Sequence, residues 1–219
     1  MMNVLDGQFV LNLNEMFLAI RREFKRYSKQ EGFVVVIFCP EGNRYSKPIF
    51  DNFNFWNCYS DKYITILLPG YDGSVDGPDV DVRVNMKDKT FIYGGFEDIF
   101  KLFEDSTRWR YSGGCDVLCF RMKLGKTIVL DRSRAIAFNV EEIDPDGKFD
   151  LPRYITRLIT KARNSFERNP LENSDKESLL ALFKAIMLTA LPGKLATFAR
   201  HKLKIDLTRP SDQSPKDGQ

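Results

Sequence analysis

Apolar positions recur every three or four residues at Leu13, Phe17, Ile20, Phe24 and Tyr27, a spacing that places them on one side of a helix. Asn12 and Glu15 stand at capping-box spacing, so the pattern predicts an amphipathic helix over residues 13–29 with Arg21, Arg22, Lys25, Arg26 and Lys29 on its outer face. Gly32 ends it. Residues 33–38 are then uniformly apolar and rich in β-branched side chains, the signature of a strand buried on both faces. Residues 39–61 carry many aromatic side chains, among them Phe53, Phe55, Trp56 and Tyr59, but no clean period. A second apolar strand is expected over 63–68, and an alternating strand over 80–84 after a loop of Gly, Pro and Asp.

From residue 94 a helix is predicted with Phe96, Ile99, Phe100 and Phe103 on one face. Strands follow over 115–120, 127–131 and 135–140, the first two joined by a turn at 123–126, and residues 144–147 form a further turn. Beyond it the period becomes helical. Asp150 caps a helix whose apolar stripe is Leu151, Tyr154, Ile155, Leu158, Ile159, Ala162 and Phe166. A second helix starts near Ser174 and a third, short and basic, runs to about residue 203. The expected architecture is α/β, a mixed sheet flanked by helices over 1–148, with an α-helical, basic subdomain over 149–207 packed on it and a polar, disordered tail over 208–219.

Charge refines this picture. The net +3 of the 219 residues conceals a weakly acidic body, in which residues 1–151 hold 20 Lys/Arg against 23 Asp/Glu, and a basic end, in which residues 152–209 hold 12 against 5. That asymmetry points to an anionic partner. Arg153, Arg157, Lys161 and Arg163 fall on the outer side of the helix after Asp150 and are the candidate contacts. The dense string Trp109, Arg110, Tyr111 before a strand is a second candidate, because Trp, Tyr and Arg are the favoured anchors of interfaces.

Candidate chemistry is sparse. His201 is the one imidazole and lies in a basic string, which leaves little for a Ser-His-Asp or Cys-His centre. The four cysteines, Cys39, Cys58, Cys115 and Cys119, form no C-x-x-C pair; Cys115 and Cys119 on one strand would stand about 13 Å apart. Reduced, buried thiols and no structural zinc are expected. Asp72, Asp76, Asp79 and Asp81 crowd one loop without the spacing of a calcium-binding loop.

Asp116 at one strand start, a hairpin, and Asp131 on the returning strand resemble the core of PD-(D/E)xK nucleases over residues 96–134. That resemblance implies magnesium held by Asp116 and Asp131, with a further acid from Glu97 or Glu104. The family's lysine falls on Ser133, and the neighbouring Arg132 and Arg134 stay protonated and cannot act as a base. The leading expectation is therefore a non-catalytic accessory or adaptor subunit in the cytoplasm, with no cofactor. It would engage a protein or a nucleic acid through its aromatic loops and basic C-terminal helices. A magnesium-dependent nuclease is the alternative. No apolar run reaches the roughly 18–20 residues that cross a bilayer.

Overall fold

Because residues 33–38 are apolar at every position, the strand they form must be covered on both sides, and this dictates the layering. The structure, a computed structural model, describes residues 9–10, 12–26, 31–60, 64–71, 91–124, 128–144, 147 and 149–168. In chain order the elements are β1 (Phe9–Val10), α1 (Leu13–Arg26), β2 (Glu31–Phe38), α2 (Ser46–Ser60), β3 (Ile64–Pro69), α3 (Tyr93–Ser106), β4 (Asp116–Leu124), β5 (Ile128–Asn139), α4 (Val140–Ile143) and α5 (Leu151–Arg168). The sheet order is β1-β3-β2-β4-β5, which puts β2 at the centre. β3 runs parallel to both β1 and β2, whereas β4 is antiparallel to β2 and to β5. This is the expected α/β fold with a mixed sheet flanked by helices.

Alternation along β2 sorts its side chains into two cores. Phe33, Val35 and Ile37 pack with Ile49, Phe53 and Trp56 of α2 and with Tyr154, Ile155, Leu158 and Ile159 of α5. Val34, Val36 and Phe38 face the other way, onto Met16, Ile20 and Phe24 of α1 and Phe96, Ile99 and Phe103 of α3. The helix after Asp150 thus shares one apolar layer with α2. The remainder of the basic subdomain, including the helices expected over 174–203, lies outside the described residues, as do the loop of Asp72, Asp76, Asp79 and Asp81 and the strand expected over 80–84.

Two caps form as the sequence predicts: Asn12 Oδ1 accepts from Glu15 N at 3.0 Å, and Asp150 Oδ1 accepts from Arg153 N at 3.0 Å. The structure differs at α2, which occupies the stretch without a clean period. Its buried positions, Ile49, Phe50, Phe53, Trp56 and Ser60, do follow a helical spacing. Asn52, Asn54 and Asn57, poor helix formers, and the exposed Phe55 blur that spacing in the sequence. The two short strands expected after residue 127 are one twelve-residue strand, β5, which accommodates an irregularity of register opposite Cys119 to Arg121.

α2 is tied to α5 by a polar contact inside the layer, Trp56 Nε1 donating to Thr156 Oγ1 at 3.1 Å. Trp56 is fully buried, so an orphaned indole N–H finds no water. Thr156→Val is expected to cost about 1–3 kcal/mol, read from the urea midpoint, with little change in circular dichroism. Gly70 ends β3 at φ +83°, where a Cβ would stand 2.7 Å from carbons of Phe91 and Phe96. Only glycine lets the chain turn there while its N–H donates to Val10 O and its carbonyl accepts from Ile92 N.

Candidate functional site

β2 and β3 lie side by side and parallel, yet the chain leaving β2 enters α2 in one layer and the chain leaving β3 returns as α3 in the other. In open α/β sheets this divergence marks the end of the sheet where ligands meet the protein. Around it gather Asn43, Arg44 and Tyr45 from the β2–α2 connection, Ser112 and Gly114 before β4, Asp116 at its first position, and the segment from Asn139 to Asp144.

Asp116 is 1% exposed and accepts three hydrogen bonds, from Ser112 N at 3.0 Å, Ser112 Oγ at 2.6 Å and Asn139 Nδ2 at 2.8 Å. Glu141 accepts from Asn43 Nδ2 at 2.7 Å, from Cys115 N with both oxygens and from Asn139 Nδ2 at 3.1 Å. Gly114 makes this approach possible, since a Cβ on it would lie 2.8 Å from Glu141 Oε2. Asp144 fixes the next turn: it accepts from Tyr45 OH at 3.2 Å and from Phe149 N, while Arg44 donates to its carbonyl at 2.7 Å. Burial is the main reason the Tyr45 phenol is pushed up to about 12. The Asp116 and Glu141 carboxylates are thus engaged by donors of the chain itself and clamp the start of β4 to the end of β5. No group of three or more His, Cys, Asp or Glu positioned for a metal occurs among the described residues.

Burial holds the Asp116 carboxyl above its ordinary 3.8, outweighing the hydrogen bonds from Ser112 and Asn139 that pull it down. A carboxyl raised on folding retains its proton in the native state after the unfolded chain has lost it. Its contribution is therefore full below 3.8 and is lost as pH rises through the folded value. Asp116→Asn is expected to flatten that part of the stability curve, measured as urea midpoints across the acid range; superimposable profiles would contradict the assignment.

The register separates the two carboxylates of the nuclease-like core. Asp116 pairs with Asn139, whereas Asp131 pairs with Arg121, five residues further along β4 or roughly 16–17 Å. Carboxylates sharing a catalytic metal pair bridge ions about 3.5–4 Å apart, so these two positions cannot form that site. The Asp131 side chain itself lies outside the described ones. Of the acids implied on the preceding helix, Glu97 pairs with Lys101 at 2.7 Å and Glu104 accepts from Tyr111 N at 2.8 Å.

The aromatic string lies largely against the core. Trp109 is 6% exposed and stacks on Phe38 with ring centroids 5.2 Å apart, so its indole fills the core. Tyr111 stacks on Phe100 at 4.9 Å and donates its hydroxyl to Gly114 O. Arg110 is exposed, but one of its nitrogens donates to the carbonyls of Glu104, Thr107 and Trp109, closing the end of α3. Phe53 and Trp56 are buried as well, leaving Phe55, half exposed, on the outside.

Charge is distributed differently. On α5, Arg153 and Arg157 are exposed one turn apart, Arg163 is half-buried, and the Lys161 side chain lies outside the described ones. On α1, in the opposite layer, Asn14, Leu18, Arg21, Arg22, Lys25 and Arg26 are all exposed and form a stripe, of which the last four are cationic. Glu23 stands 3.8 Å from Arg26, whereas Arg21, Arg22 and Lys25 make no ion pair with a described residue. Comparison of the chain with protein-family models, with curated proteins and with solved structures finds no match.

The polar clamp was not singled out in the sequence. Asn139 and Glu142, spaced as a cap directly after an apolar strand, are the signal that marks it: Asn139 Oδ1 accepts from Glu142 N at 2.6 Å and opens α4.

Proposed function

We propose that this chain works by binding, without catalysis of its own, and that its partner is the phosphate backbone of a nucleic acid, met by the outer face of α1. The observation that carries the proposal is the row Arg21, Arg22, Lys25 and Arg26, exposed within two turns, of which the first three make no ion pair with a described residue. Guanidinium and ammonium groups held on a rigid helix neutralise phosphates and release counterions, which gives affinity without sequence preference. The saturated hydrogen bonding of Asp116 and Glu141 supports a scaffold role for the end of the sheet. Arg153 and Arg157 offer a second, smaller basic face on the other layer, continuous in sequence with the basic residues beyond 168.

The test is retention of mixed-sequence oligonucleotides, single-stranded and duplex, on a filter at low salt. Binding of either that resists exchange of sequence supports the reading. Failure to retain both, together with capture of an acidic polypeptide by the same face, would assign α1 to a protein partner instead.

A further inference from the structure

The antiparallel ladder between β2 and β4 ends at the pair Phe38 and Asp116, so the next residues outward, Cys39 and Cys115, face each other across the strands. Both thiols are free and both side chains belong to the core beneath α2 and α5. They are in hydrogen-bond contact with one another. Their backbones are pinned: Tyr71 OH donates to Cys39 O at 3.0 Å, Val140 N donates to Cys115 O at 2.8 Å, and the Glu141 carboxylate holds Cys115 N. Facing residues of an antiparallel pair have Cα atoms about 4.5–5.5 Å apart, inside the span that a disulfide bridges.

We propose that Cys39 and Cys115 form a modification site, a dithiol that closes to a reversible cross-strand disulfide when the folded protein meets hydrogen peroxide. The Cys39 sulfur attacks the peroxide oxygen, giving a sulfenic acid and one water; the Cys115 sulfur then displaces hydroxide from it. One S–S bond forms, two S–H bonds are lost, and the peroxide is reduced to two waters. Burial pushes the Cys115 thiol above its ordinary range, with the Cys39 sulfur beside it. Both cysteines lie one residue beyond the ladder, next to the half-buried Pro40, which has no N–H to contribute. Cys119, deeper on the same strand and paired with Val35 and Ile136, has no cysteine opposite it.

The experiment is peroxide treatment of the native chain followed by peptide mapping without reductant. The expected product is a loss of two hydrogens and one linked pair of peptides, joined through Cys39 and Cys115. Because the link closes a long loop, Tm should rise by about 5–10 °C and return on reduction. Cys39→Ser and Cys115→Ser should each abolish the link while Cys119→Ser retains it. Should the serine variants fail to fold, the map of the wild-type chain decides alone. Free thiols at both positions after exhaustive treatment, over-oxidation of Cys39 without a link, or a link through Cys58 or Cys119 would overturn the proposal.

Discussion

Replacing Phe38 by alanine is expected to lower the stability of the folded chain by about 3–5 kcal/mol. Phe38 is fully buried at the last position of the central strand. Its ring meets Phe96 at 5.7 Å and Phe103 at 5.9 Å edge-on, stacks on Trp109 at 5.2 Å, and touches Tyr111 at 6.2 Å. The substitution removes a ring that four aromatic side chains share, and their backbones are fixed by α3 and by the Arg110 and Tyr111 hydrogen bonds, so the cavity has little means to collapse. With total stabilities of about 5–15 kcal/mol for ordinary domains, the variant stands close to unfolding. Urea denaturation followed by tryptophan fluorescence gives the value directly. A loss under about 1 kcal/mol would mean that Trp109 and Tyr111 do not rest on Phe38 as described.

The second large effect is on binding. Neutralising Arg21, Arg22 and Lys25 together to Gln is expected to lower affinity for an oligonucleotide by at least about 100-fold at low salt and to reduce the slope of log K against log salt by roughly 2–3, one phosphate contact per cation. Stability should hardly move, since all three side chains are exposed and Gln is a good helix former. Arg153→Gln with Arg157→Gln serves as the comparison on the opposite layer, with the smaller loss expected of two contacts.

The layered fold was legible where one physical signal dominated. The three- and four-residue spacing from Leu13 to Phe24 produced α1, and the unbroken apolar run from Phe33 to Phe38 placed β2 at the centre of a sheet covered on both faces. α2 was not legible, because its buried aromatic residues are interleaved with Asn and with the exposed Phe55. Asp116 and Asp131 looked like partners because sequence spacing alone does not fix the register of a hairpin; the ladder sets Asn139 beside Asp116 instead. Trp109 looked like an anchor because composition does not tell a surface aromatic from one that plugs the end of a core.

Charge by region also misled in an instructive way. The negative balance of residues 1–151 averages over acidic loops and the acidic face of α3, and so hides the basic row on α1 that folding exposes on one side of one helix. Helical periodicity already places those arginines on the outer face; what it does not supply is that Arg21, Arg22 and Lys25 make no ion pair with a described residue.

The most direct test is a titration of a labelled, mixed-sequence oligonucleotide with the wild-type chain, followed by fluorescence anisotropy at a series of salt concentrations. The proposed role of α1 predicts saturable binding whose affinity falls linearly on a log–log plot, with a slope made shallower by the triple Gln substitution. An anisotropy that stays flat at the lowest salt, or a slope unaffected by removing Arg21, Arg22 and Lys25, would contradict it.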